Sequence, residues 1–354
     1  MRMLNCWHKR AWITMTGTLL ILCPASGWCG EIRATRFSEN PLITVKTSPS
    51  LGDNINGPAV IRVPAWVKRP LGHYYMYFAH HIGQFIRMAY ADSLHGPWKI
   101  YEPGVLNVAD TAFLRPQPDP IQIPGIYTHV ASPEIYVDQN RKSIVMLFHG
   151  MWTEGQKWPS NPADARNWEK EHGYGQFTQA AESSDGIHFK VLPPITRDFY
   201  LRVFTHGGEF YSMARLGHLL RARSPLASFE AGPDPFRDGS YAGRVRHVAV
   251  LPRGDTLEVF FSAMRDAPER ILHTAIHLEG DWSQWKTSGY DEVLTPQAAY
   301  ECPDLPVTPS EVGEIQGPAK QLRDPAVYVE GGKIYLFYSI CGEQGIAGAE
   351  VTIR

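Results

Sequence analysis

The sequence lacks an excess of either charge, lacks a membrane-length apolar run, and has almost no cysteine outside its first thirty residues. It holds 34 Lys and Arg against 36 Asp and Glu, a formal net charge of −2. Nucleic acid and anionic membrane surfaces are therefore poor partners, because each would call for a basic stripe. The longest apolar run, Ala11 to Leu22, falls short of the roughly 20 residues a spanning helix needs. Three of the five cysteines (Cys6, Cys23 and Cys29) lie in or beside that segment. Cys302 and Cys341 remain, with no Cys/His spacing of a structural zinc site. Such a pair in an oxidising compartment forms a disulfide or stays as two buried thiols, and the sequence leaves both open. No amphipathic helix of ordinary length is evident after residue 30.

The opening residues are organised as a targeting segment. Arg2, His8, Lys9 and Arg10 precede the apolar run, and Pro24, Ala25, Ser26 and Gly27 follow it. This order is that of a secretory signal peptide over residues 1–30, leaving 31–354 as one domain that is secreted or periplasmic. Leu22 before Cys23 and Trp28 before Cys29 are too large for a lipid-modified cysteine.

Aromatics are plentiful at 12% of the chain, and they recur in a repeated unit. A short apolar segment, a turn and a second segment dense in aromatic and β-branched residues follow one another about five times. Examples are Gly57–Ile61 with Tyr74–Phe78, and Ser132–Tyr136 with Ile144–Phe148. Gly208–Tyr211 with Gly217–Leu220, His247–Val250 with Leu257–Phe261, and Asp324–Tyr328 with Ile334–Tyr338 complete the set. Outer strands follow several of these units. The pattern predicts an all-β, five-bladed β-propeller of four-stranded antiparallel blades, which a two-sheet sandwich would not explain. The last blade runs out of chain, so a segment near Phe37–Val45 is expected to close the ring.

In such a ring the blade-start loops and the loops from second to third strands share one rim. Asn54, Asn56, His129, Ser132, Glu134, His206, Glu209, Arg246, His247, Arg323 and Asp324 belong to the first group. His80, His81, His149, Trp152, Arg265, Glu269, Arg270, Glu343 and Gln344 belong to the second. Convergent polar groups at a concave mouth make a binding site. The insertion Met151–Gly175, with Trp152 and Trp158, is expected to wall it and offer faces for sugar stacking. Adjacent His80 and His81 would point to opposite faces of a strand, so no metal site is expected there.

Arg323-Asp324-Pro325-Ala326, followed by Gly332–Ser339, and Ser132-Pro133-Glu134-Ile135-Tyr136 resemble the five-bladed propeller glycosidases of glycoside hydrolase family 43. The resemblance implies an exported glycosidase acting on plant or algal polysaccharide or oligosaccharide with paired carboxylates. On that reading Asp324 stays ionised, while Glu134, or else Glu209, supplies the acid. Asn56, His81, His129, Trp152, His206, Arg246, His247, Arg323 and Glu343 would bind substrate. No cofactor is required, and a structural calcium ion in the central channel is compatible with the fold. The family's first-blade Asp is replaced by Asn56-Gly57-Pro58, with Asp53 out of register. That departure favours a non-catalytic carbohydrate-binding propeller as the alternative, with a lyase using His and Arg as a third reading. Glu301-Cys302-Pro303-Asp304 resembles a family 32 motif, but in an order that no rotation of blades reproduces.

Overall fold

Runs such as Tyr74–Ala79 are buried at every position because each blade is covered on both faces by its neighbours. In the computed structural model, which describes residues 31–116, 127–157 and 175–354, the alternation of side chains along a strand divides such runs between two interfaces. Tyr75 and Tyr77 pack with Ile144, Met146 and Phe148 of the next blade, while Tyr74, Met76 and Phe78 pack with Phe337 and Ile346 of the last. Val145 and Leu147 turn the other way, toward Leu201 and Leu220. Phe261 and Phe260 split similarly between the third and fifth blades. One apolar cluster thus fills each of the five gaps between blades.

The strands, in chain order, begin with β1 (Ile32–Arg36) and β2 (Ile43–Thr44). The first blade is β3 (Asn56–Arg62), β4 (Tyr74–Ala79), β5 (Phe85–Ala91) and β6 (Lys99–Asn107). The second is β7 (Val130–Asp138), β8 (Ser143–Trp152), β9 (Gly175–Ser183) and β10 (Lys190–Thr196). The third is β11 (Arg202–His206), β12 (Glu209–Met213), β13 (Leu219–Ala222) and β14 (Glu230–Ala231). The fourth is β15 (Val245–Arg253), β16 (Thr256–Ala263), β17 (Ile271–His277) and β18 (Asp291–Leu294). The fifth is β19 (Arg323–Glu330), β20 (Lys333–Ile340) and β21 (Gly345–Ile353), completed by β1 in the order β1-β21-β20-β19. All pairings within blades are antiparallel, and the first strand of each blade packs against its neighbours around the axis.

The N-terminal segment closes the ring a few residues earlier than expected. Ile32–Arg36 pairs with Ala349–Ile353, and Ile43–Thr44 adds a short second contact. Arg36 then donates to both carboxylate oxygens of the fully buried Glu301, at 2.8 and 2.9 Å. Cys302 and Cys341 are joined as a disulfide that ties the loop after the fourth blade to the end of β20.

Three blades start with one local device. Gly57, Ser132 and Asp324 all have φ between 48° and 62°, each is followed by proline, and each sits in a bulge of the innermost strand. Positive φ is free for glycine and tolerated by Asp, but for most residues it costs about 1–2 kcal/mol. These three positions are structurally equivalent, so the first-blade counterpart of Asp324 is Gly57.

The third blade corrects the sequence reading. Gly208–Tyr211 was expected to start the blade, but the innermost strand is β11 and Glu209 opens the second strand. Gly207 and Gly208 both have positive φ and form the two-residue hairpin turn that such pairs favour. Reading that turn as a blade start shifted the blade by one strand. The signal segment 1–30, and Trp158 with most of the expected wall, lie outside the described residues.

Candidate functional site

The blade-start loops and the second-to-third-strand loops do share one mouth, and a ladder of buried charge crosses it. Glu343, in the turn between β20 and β21, is fully buried. It accepts from Asn54 at 2.5 Å, Asn56 at 3.2 Å and Arg323 at 3.0 Å, and lies 3.3 Å from His81 Nδ1. Burial alone would raise its pKa, but His81, Arg323 and Asn54 hold it well below the usual carboxylate range. Arg323 goes on to Glu269 at 3.3 Å, and Glu269 accepts from Arg246 Nε at 2.8 Å. Arg246 also donates to the Glu311 and Gly313 carbonyls. Charges therefore alternate from the first blade through the fifth to the fourth, and each is matched. Breaking a buried pair strands the partner charge, so Glu343→Ala should cost about 3–5 kcal/mol of stability. A urea unfolding midpoint unchanged by that substitution would contradict this role.

Beside the ladder stands a second buried pair. His247 Nδ1 lies 2.6 Å from Asp324 Oδ1, and Ser339 donates to Asp324 Oδ2 at 2.9 Å. Burial pushes the Asp324 carboxyl up, but the His247 ring overcomes it and keeps the group below its ordinary value. Burial lowers the His247 pKa despite the opposing pull of Asp324.

Rings continue outward from His247. Tyr200 lies 4.4 Å from it, His149 4.4 Å from Tyr200, His129 5.8 Å from His149, and Tyr127 4.7 Å from His129. Tyr200 has φ 58° and sits in the loop that starts the third blade. Tyr127 and Tyr200 of this row face a cavity of about 500 Å³, a volume in the range of small-ligand sites. Tyr127 and Tyr200, with Phe199, give it apolar faces; His81, Gln176, Arg197, Arg215 and Arg246 give it polar ones. No carboxylate lines it among the described residues.

Burial lowers the His129 pKa to about 4, with the nearby His81 charge adding to the effect. The unfolded chain takes up that proton below about pH 6.5. The contribution of the neutral ring is therefore complete above about pH 6.5 and lost as pH falls toward 4. His149, also lowered by burial, acts in the same direction. His81 acts oppositely, because Glu343 outweighs burial and raises its pKa; its contribution is present below pH 6.5 and lost as pH rises through the folded value. Thermal midpoints should fall between pH 6.5 and 4, with His129 accounting for about 3 kcal/mol. His129→Gln should flatten that slope, and an unaltered slope would refute the assignment.

Comparison with known proteins places this architecture. The chain is 31% identical to Uncharacterized protein R118 of Acanthamoeba polyphaga mimivirus over 371 aligned positions, covering 98% of each chain. It belongs to the same family as that viral protein. No family model matches the sequence. Among solved structures, a putative glycoside hydrolase from Bacteroides ovatus ATCC 8483 superposes with a TM-score of 0.58 at 10% identity, over 90% of this chain and 95% of that one. The GH43 β-xylosidase/α-arabinofuranosidase CoXyl43, from a compost microbial metagenome, gives 0.52 at 11% identity over 90% and 94%. The α-L-arabinofuranosidase from Lactobacillus brevis gives 0.51 at 12% identity over 88% and 92%. The fold is the five-bladed propeller of glycoside hydrolase family 43.

Within that fold the expected site residues separate into groups. Asn56, His81, His129, Arg246, His247, Arg323, Asp324 and Glu343 come together at the mouth, but of these only His81 and Arg246 line the cavity. The others form the layer behind it. Glu134 is wedged between the second and third blades, 3.3 Å from Arg202 and accepting from the Val203 amide. Burial raises its pKa against the pull of Arg202. Trp152 packs on Phe177 and lies under the Arg197 guanidinium, 5.9 Å away. His206 and Glu209 are corrections of position. They face each other across the hairpin at the far end of β11, away from the mouth, with Glu209 exposed and His206 against Trp285. Tyr127, Arg197, Phe199, Tyr200 and Arg215 were missed. Phe199-Tyr200 stands directly before β11, so reading Gly207-Gly208 as a hairpin would have brought both to the rim. Among the described residues no group of three or more His, Cys, Asp or Glu is arranged to hold a metal ion.

Proposed function

We propose that the chain is an exported glycoside hydrolase that cleaves a plant or algal polysaccharide or oligosaccharide at this mouth. The observation that carries the reading is a pair of carboxyl groups in contrasting surroundings, Asp324 of the fifth blade against His247, and Glu134 against Arg202 between the second and third. Asp324, beside His247 behind Tyr200, is held below its ordinary pKa, and Glu134, beside Arg202, is raised by burial. Glycoside cleavage needs one carboxyl group that stays ionised and one that keeps its proton, set apart by their surroundings. In this proposal Glu134, which stands behind the cavity wall between the second and third blades, is the source of the proton for the leaving oxygen. Asp324 activates water or steadies the positive charge developing on the sugar, and the rings of Phe199, Tyr200 and Tyr127 pack against the sugar. The glycosidases that share the fold support the same reading, and the Cys302–Cys341 disulfide suits an exported chain.

A second reading has its own observation. Tyr, His and Arg side chains line the cavity and no described carboxylate does, an inventory suited to elimination from a uronate. The glycine at the first-blade position equivalent to Asp324 favours binding without turnover. One experiment separates all three: incubate the purified protein with a panel of plant and algal polysaccharides, measuring reducing ends and ultraviolet absorbance together. Hydrolysis releases reducing ends without an unsaturated product. Absorbance rising with the reducing ends would make the protein a lyase, and retention of polysaccharide without either signal would make it a binding module.

A further inference from the structure

Most cations at the mouth are matched by a described carboxylate: His81 and Arg323 by Glu343, and Arg246 by Glu269. Two that line the cavity are not. Arg215 leaves β12 at the mouth, and its guanidinium lies 5.5 Å over the Phe199 ring, with the Met264 sulfur at 3.9 Å as its only side-chain polar contact among the described residues. It is half-buried, and burial, then the nearby Arg246, lowers its pKa, opposed by Tyr200. Arg197, exposed on the same wall, rests on Trp152 and has no ion-pair partner among the described residues. A partly desolvated guanidinium without a counter-ion is unfavourable in the empty protein, and an arriving oxyanion relieves it. Arginine held flat on an aromatic ring keeps its edge donors free for two parallel bonds to a carboxylate or sulfate.

We propose that the cavity takes an acidic sugar, its carboxylate or sulfate group held by Arg215 and Arg197 while the ring packs against Phe199 and Tyr200. This rests on the mouth being a carbohydrate site, and it adds that the substrate is anionic. The cavity has room for a monosaccharide unit, and its polar wall is cationic where the aromatic wall is neutral. Neutral arabinose- or xylose-type chains would offer hydroxyl acceptors but no counter-charge to either guanidinium.

The test is calorimetric binding of four probes to the whole protein. These are a galacturonan oligosaccharide, its carboxyl-reduced neutral counterpart, a sulfated galactan oligosaccharide and its desulfated counterpart. At least one acidic probe should bind about ten- to a hundredfold more tightly than its neutral counterpart, the range of a hydrogen bond to a charged group. The pair that shows the preference identifies carboxylate or sulfate. Arg215→Gln should abolish the preference and Arg215→Lys should retain part of it. Arg197→Gln, at an exposed position that the fold does not need, should reduce it and carries the test if Arg215→Gln melts early. Equal binding within both pairs, no binding of any probe, or a preference that survives both glutamine substitutions would overturn the proposal. Hydrolysis of a neutral chain without acidic preference would refute this inference and leave the hydrolase reading intact. Acidic binding without cleavage would do the reverse.

Discussion

Asp324→Asn should lower turnover of the cleaved polysaccharide by between about 10² and 10⁴, the span usual for a positioned acid or base, with binding nearly unchanged. The substitution suits this position. Asn shares with Asp a tolerance for the positive φ, here 49°, and its amide still accepts from Ser339. What it removes is the negative charge that faces His247 at 2.6 Å. Because Asp324 is held below its ordinary pKa, the wild-type rate should stay flat down to the acidic end of the carboxylate range before it falls. Turnover within a factor of three of wild type would take Asp324 out of the reaction. A matching loss of binding would make it a positioning residue for His247 and the rings beyond it instead.

Deleting residues 31–45 should destabilise the protein by about 5 kcal/mol or more. Two losses combine. Removing Arg36 takes the counter-ion from the fully buried Glu301, leaving it Tyr338 and the Gln297 and Ala298 amides, and breaking such a pair costs up to about 3–5 kcal/mol. Removing Phe37, buried against Tyr335, Phe337 and the edge of β21, empties a site worth about 3–5 kcal/mol for an aromatic. The edge of β21 is also opened to pairing with other chains. Urea midpoints or soluble yield will show this directly, and a deletion as stable as the full chain would contradict closure by the N-terminal strand.

The sequence disclosed the parts of this molecule that depend on short-range rules. Tyr74–Phe78 and Ile144–Phe148 are readable as strands because both of their faces are covered, which makes each run apolar throughout. Gly57-Pro58, Ser132-Pro133 and Asp324-Pro325 are readable as repeated blade starts, and the fold needs their common backbone. The third blade escaped because its strands are short and its Gly207-Gly208 turn imitates a blade start. That one error moved Glu209 and His206 to the wrong face and hid Tyr200 and Arg215. Which charges pair is also beyond sequence reasoning. Glu343 is matched with Arg323 inside the fifth blade and with His81 across a sequence gap of 262 residues, and only closure of the ring brings His81 to it. Arg215 stands out as unmatched only once every neighbouring cation has found its partner.

The most direct measurement is the crystal structure of Asp324→Asn soaked with an oligosaccharide that the wild-type protein cleaves. The account places a sugar ring in the mouth cavity, in contact with Phe199 and Tyr200 and within hydrogen-bond reach of Arg215. A sugar bound instead at the far end of the channel, near His206 and Glu209, would contradict it.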